Sequence, residues 1–118
     1  MKVLVVDDAM FMRNMIRSML EKDGHTVVAE ASNGKEAITL YEKHRPDLVT
    51  LDITMPEMDG LTALKHIREI DSKAIVIMCS AMGQQSMVLE GVKNGAKDFL
   101  VKPFNEQRVL ESIRKLSR

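Results

Sequence analysis

Five short apolar, β-branched runs alternate along the chain with longer segments in which apolar residues recur every three or four positions. The runs are VLVV at 3–6, TVVAE at 26–30, DLVTLD at 47–52, AIVIMCS at 74–80 and DFLV at 98–101. Apolar runs of this length, bounded by polar residues, predict strands buried on both faces. Between them, Met12, Met15, Ile16, Met19 and Leu20 form one helical stripe. Ala37, Ile38 and Tyr41 form a second, preceded by Asn33 as N-cap with Glu36 three residues on, the spacing of a capping box. Leu61, Leu64, Ile67 and Ile70 form the third, and Val109, Leu110, Ile113 and Leu116 close the chain. The fourth segment, GQQSMVLEGVKNG, is less regular. Gly91 in its interior costs about 1 kcal/mol relative to Ala. Its apolar residues Met87, Val88, Leu89 and Val92 span too wide an arc for all of them to face a sheet.

Five strand–helix repeats predict an α/β fold, a parallel sheet with helices on both faces. Asn33-Gly34, Asp59-Gly60, Gly83 and Gly95 punctuate the segments and read as loop positions. Right-handed crossovers leave few topologies. A flavodoxin-like, doubly wound (βα)5 three-layer sandwich with strand order 2-1-3-4-5 is the expected one, taken from the class and not from individual residues.

Composition narrows the function. The 118 residues make one domain, 1–118. Seventeen acids balance seventeen Lys plus Arg, an arrangement unsuited to nonspecific binding of nucleic acid or an anionic membrane. No apolar stretch approaches the roughly 20 residues of a membrane span. A single cysteine, Cys79, forms no internal disulfide, and the expected location is cytoplasmic. Ten methionines against one Tyr, three Phe and no Trp imply an adaptable core and surface.

The first strand ends in two adjacent aspartates, Asp7 and Asp8, and the third ends in Asp52. In sheets of this class ligands bind beyond the carboxyl ends of the strands, where the strand order reverses. Neighbouring strands lie roughly 4.8 Å apart, so three carboxylates converge there if strands 1 and 3 are adjacent. A close pair repels by about 4 kcal/mol at roughly 4 Å with an effective dielectric of about 20. The cluster relieves this by raised pKa values or by taking up a cation. Oxygen donors without His or Cys favour Mg²⁺ over zinc. One acid at a strand end is ordinarily a solvated turn; three at one edge are a site. Ser80 ends the fourth strand and Lys102-Pro103 follows the fifth. Taken alone, the serine reads as a helix cap and the lysine as a solvated charge. A cis peptide at the proline would fix the direction in which the lysine leaves the sheet. A hydroxyl and an ammonium opposite a metal-binding cluster suit phosphoryl transfer.

VVDD at 5–8, LDITMPEMDG at 51–60, CSAMG at 79–83 and KDFLVKPF at 97–104 together resemble the response-regulator receiver domain over the whole chain. The likeness is strongest to the single-domain chemotaxis members of that family. The resemblance implies that Asp52 accepts a phosphoryl group as a carboxylate nucleophile. It implies that Asp8 ligates Mg²⁺ directly, that Asp7 acts mainly through a metal-bound water, and that Thr54 offers its backbone carbonyl. Ser80 and Lys102 are then expected on phosphoryl oxygens, and Phe99 is the expected aromatic switch, turning inward as Ser80 moves. Plain core packing is the alternative for Phe99. Thr54 and Met82 stand where access of hydrolytic water is tuned.

The expected partners are a CheA-like sensor histidine kinase, a flagellar motor switch protein and a phosphatase for the phosphorylated form, with the chain a monomer. The protein is then a phosphoacceptor that takes part in its own phosphorylation and dephosphorylation, not an enzyme with a separate substrate. The fourth helix, with Met87 and Val88, the fifth strand and the fifth helix are the expected output face; Met10 and Phe11 are expected to dock the kinase or phosphatase. A single-domain phosphorelay intermediate, or a stand-alone regulator of another process, shares the same pocket. A haloacid-dehalogenase phosphatase would need an aspartate at position 54 and a cap domain. A flavin carrier would need a neutral, hydroxyl-rich loop where Asp7-Asp8-Ala9 stands.

Overall fold

Five parallel strands lie in the order β2-β1-β3-β4-β5 in the computed structural model, which describes residues 1–116. The strands are β1 (Lys2–Val6), β2 (Thr26–Ala31), β3 (Leu48–Asp52), β4 (Val76–Ser80) and β5 (Asp98–Val101). The helices are α1 (Met10–Lys22), α2 (Gly34–His44), α3 (Gly60–Ile70), α4 (Gln85–Lys93) and α5 (Glu106–Leu116). This is the expected flavodoxin-like architecture, with β1 and β3 side by side from Val3↔Leu48 to Val6↔Leu51.

The period of two along each strand divides the core into two layers. Leu4, Val6, Val49, Leu51, Val76 and Met78 face Ala37 and Tyr41 of α2 and Ala63, Leu64 and Ile67 of α3. Val3, Val5, Leu48, Ile77, Cys79 and Leu100 face Ile16 and Leu20 of α1 and Val109 and Ile113 of α5. Thr50 is also fully buried, and its hydroxyl has no hydrogen-bond partner among the described residues.

Three local readings change. β4 begins at Val76, not residue 74, because the chain is still turning there: Ala74 N–H donates to the Asp71 carbonyl. Asn33 does cap α2, accepting from Glu36 N–H at 2.9 Å, but the return bond slips by one residue. Glu36 Oε1 accepts from the backbone and hydroxyl of Ser32, both at 2.7 Å. Gly34 and Gly60 are not loop glycines. They are the first residues of α2 and α3, behind the caps Asn33 and Asp59. Both are small because backbone approaches them: a Cβ at Gly34 would lie 2.7 Å from the Met58 carbonyl oxygen, and one at Gly60 would collide with the Asp52 carbonyl. Gly83 and Gly95 do turn the chain at positive φ.

In α4, Gly91 is the buried residue, whereas Met87, Leu89 and Val92 are exposed and Val88 is half-buried against the core. The wide apolar arc therefore does leave residues in solvent. Gly91 is more than a weak point, because α4 meets the sheet there: an added Cβ would stand 3.3 Å from Met78 Cγ. Among the described residues no helix is long and apolar enough to cross a membrane.

Candidate functional site

The register that pairs β1 with β3 delivers Asp7, one residue beyond β1, and Asp52, the last of β3, to the same edge. With Asp8 they offer three carboxylate oxygens within 4.8 Å of one another. Asp7 is 1 % exposed and Asp52 5 %, whereas Asp8 lies in solvent. Lys102 reaches in from beyond β5 and places its ammonium 3.0 Å from Asp7 and 3.3 Å from Asp52. The Lys102-Pro103 peptide is cis.

Burial, followed by the charge of Asp7, pushes the Asp52 carboxyl up to about 6; Lys102 pulls the other way and Asp8 adds to the rise. Burial alone would lower the Lys102 ammonium, but its hydrogen bond to Asp7 and the two carboxylate charges hold it above its ordinary value. Lys102 thus pairs with two of the three clustered acids, and the remaining negative charge fits a hard divalent cation with oxygen ligands.

Ser80 is buried at the end of β4, level with Val101 of β5, and it caps no helix. Its hydroxyl donates only a long bond, 3.5 Å, to the Leu100 carbonyl. Thr54 is exposed two residues after Asp52, and its hydroxyl accepts from Gln84 Nε2 at 2.9 Å. Phe99 is not a core residue: at 37 % exposed it points outward. It lines a cleft of about 490 Å³ between α4 and β5, with Met82, Val88, Leu89, Val92 and Val101. Met10 and Phe11, at the start of α1, are 65 % and 71 % exposed.

Some supporting residues carried no sequence signal. Arg13 donates from Nη1 to the Asp7 carbonyl at 2.6 Å and is itself held by Glu30 of β2 at 3.1 Å. Asp7 Oδ1 accepts from Ala9 N–H at 2.9 Å, which tightens the loop that carries both acids. Gly60 N–H donates to the Ile53 carbonyl at 2.7 Å and locks the start of α3 against the end of β3. Its Asp-Gly signature was visible, but as a turn. Arg13 and Gln84 are tied to partners 17 and 30 residues away, beyond any local pattern.

The chain is 63% identical to the chemotaxis protein CheY of Bacillus subtilis, over 97% of this chain and 95% of that protein. It is 55% identical to the CheY of Thermotoga maritima, over 99% and 98% respectively. Its structure is similar, with a TM-score of 0.95 and 39% identity, to a chain in the crystal structure of the CheX–CheY–BeF3–Mg²⁺ complex from Borrelia burgdorferi, covering 99% of this chain and 89% of that one. The model of the response regulator receiver domain matches residues 3–114, which include Asp7, Asp8, Asp52, Ser80 and Lys102. With the 2-1-3-4-5 sheet and the carboxylates gathered at its edge, that match makes the chain a member of the response regulator receiver family.

Proposed function

We propose that the chain is a chemotaxis response regulator that takes a phosphoryl group from a sensor histidine kinase onto Asp52. The observation that carries this reading is the meeting of Asp7, Asp8 and Asp52 within 4.8 Å, with the Lys102 ammonium on two of them. With its pKa near 6, Asp52 is ionised in most molecules at neutral pH and is available as a nucleophile. Its oxygen attacks the phosphorus of phosphohistidine. A P–O bond forms as the P–N bond breaks, and the electron pair stays on the imidazole nitrogen, which takes a proton from solvent.

Asp8, Asp52 and the Thr54 backbone carbonyl are the groups that would hold Mg²⁺, with Asp7 acting through water. When bound, the ion neutralises charge on the carboxylates and the incoming phosphoryl oxygens. Lys102, already 3.3 Å from Asp52, turns its ammonium to pair with a phosphoryl oxygen. Ser80 loses little in exchanging its long bond to Leu100 for another. As Ser80 moves, Phe99 turns inward from the cleft it lines, and the face made by α4, β5 and α5 changes shape. A flagellar motor switch protein would read that face through Met87, Val88 and their neighbours. Met10 and Phe11 would dock the kinase or a phosphatase at the mouth of the site. The protein takes part in its own phosphorylation and dephosphorylation and has no separate substrate; its place of action is the cytoplasm.

The test is intact-mass measurement after incubation with Mg²⁺ and acetyl phosphate. The protein should gain one phosphoryl group, and both Asp52→Asn and metal chelation should abolish the gain. Full uptake by Asp52→Asn, or uptake indifferent to chelation, would overturn the reading. Capture of the motor switch protein by the beryllofluoride-treated chain, and not by the untreated chain, tests the output.

A further inference from the structure

The loops that follow β3 and β4 flank the carboxylate cluster, and one side chain ties them together. Gln84 accepts from Ala81 N–H through Oε1 at 2.7 Å and donates from Nε2 to the Thr54 hydroxyl at 2.9 Å. The same nitrogen lies 3.8 Å from Met87 Sδ. Gln84 stands immediately before α4 but does not cap it with its side chain, so both ends of its amide are committed to the two loops. The groups it engages are an N–H one residue past Ser80 and a hydroxyl two residues past Asp52. The chain otherwise turns freely here: Gly83 adopts φ 90°, and a Cβ there would touch nothing within 4 Å.

We infer that Gln84 is a positioning residue for phosphoryl transfer, a latch that holds Thr54 and Ala81 together across the rim in the unphosphorylated protein. The inference rests on the phosphoacceptor reading above. A tetrahedral anion on Asp52 needs donors for its equatorial oxygens. The nearest backbone donor beyond Ser80 is occupied by Gln84, and the loops must part before that N–H can turn to the phosphoryl group. The latch therefore opposes loading, by about the worth of a hydrogen bond or two. It is also a direct link from the reacting edge to the first turn of α4.

The experiment compares wild type, Gln84→Met, Thr54→Val and the double variant, using acetyl phosphate with Mg²⁺ and the full chain. Gln84→Met should load about fivefold faster, the equivalent of one net hydrogen bond. In the Thr54→Val background, where the loops are already untied, the same change should alter the rate by less than about twofold. An unchanged rate in Gln84→Met, or equal effects in both backgrounds, overturns the latch. A second arm needs no phosphate: amide exchange at Ala81 in the unphosphorylated protein should be at least about fivefold faster in Gln84→Met at an unchanged urea midpoint. Unchanged exchange at Ala81 refutes the latch whatever the uptake rates. Failure of wild type to load, with Ala81 exchange responding as expected, refutes the phosphoacceptor reading and with it the positioning role, leaving only the tie between the two loops.

Discussion

Replacing Asp52 with Asn should stabilise the metal-free protein, and the structure sets the size of the gain. Burial is the largest cost, since the Asp52 carboxylate is only 5 % exposed. Asp7, within 4.8 Å, adds about 3.5 kcal/mol of repulsion at an effective dielectric of about 20, and solvent-exposed Asp8 adds less. Lys102 at 3.3 Å returns about 5 kcal/mol on the same scale. The balance is a carboxyl moved from 3.8 to about 6, which corresponds to about 3 kcal/mol. Because the folded-state value is the higher one, the native protein binds more protons than the unfolded chain between these limits. Its stability is therefore full below the lower value and falls as pH rises through the upper one. In urea with a chelator, Asp52→Asn should exceed wild type by about 3 kcal/mol near pH 8, a midpoint shift of about 1–3 M, and by only about 1 kcal/mol near pH 4.5. Saturating Mg²⁺ should shrink or reverse the difference, since it stabilises the wild-type site more. A variant no more stable than wild type near pH 8, or a gain independent of pH, would refute the charge-cluster account.

Three further outcomes follow from single side chains. Lys102→Met removes the cation that pairs with both the Asp7 and the Asp52 carboxylates, so the Asp52 carboxyl should titrate above 6 when followed by carboxyl-carbon NMR; an unmoved or lower value would contradict it. Thr50→Val replaces a buried hydroxyl, unpartnered among the described residues, with a methyl of the same shape, and should raise stability by about 1 kcal/mol in urea. Gly91→Ala should gain about 0.5 kcal/mol and slow amide exchange across α4, the helix-propensity gain outweighing a contact that the flexible Met78 side chain can relieve; a loss would mean that Met78 cannot yield.

The strands and helical stripes were legible because burial on both sheet faces demands apolar runs, and burial of one helix face demands a period near 3.6. The acids were legible for the opposite reason: no packing argument places Asp7 next to Asp8 after four buried residues, so their presence called for another explanation. What stayed hidden depends on tertiary proximity. Gly60 and Gly34 read as turn residues because their true constraint is a backbone from elsewhere in the fold. Phe99 was ambiguous because alternation along a four-residue edge strand does not say which face is covered, and α4 leaves that side open. Gln84 sits in an unremarkable Gln-Gln pair, and nothing local distinguishes the one that bridges two loops.

The junction of Gly60 with Asp52 limits where this molecule could yield under the proposed chemistry. Only a hydrogen atom fits between the first turn of α3 and the Asp52 carbonyl, and a 2.7 Å bond from Gly60 N–H to the Ile53 carbonyl ties that turn to the next residue. The Asp52 main chain therefore has no room to move toward α3. If Asp52 takes up a phosphoryl group as proposed, the displacement would be absorbed on the far side, where β4 hands over to a short helix whose one fully buried residue is Gly91. On that reading, the direction in which a signal would leave is set by which neighbour cannot move.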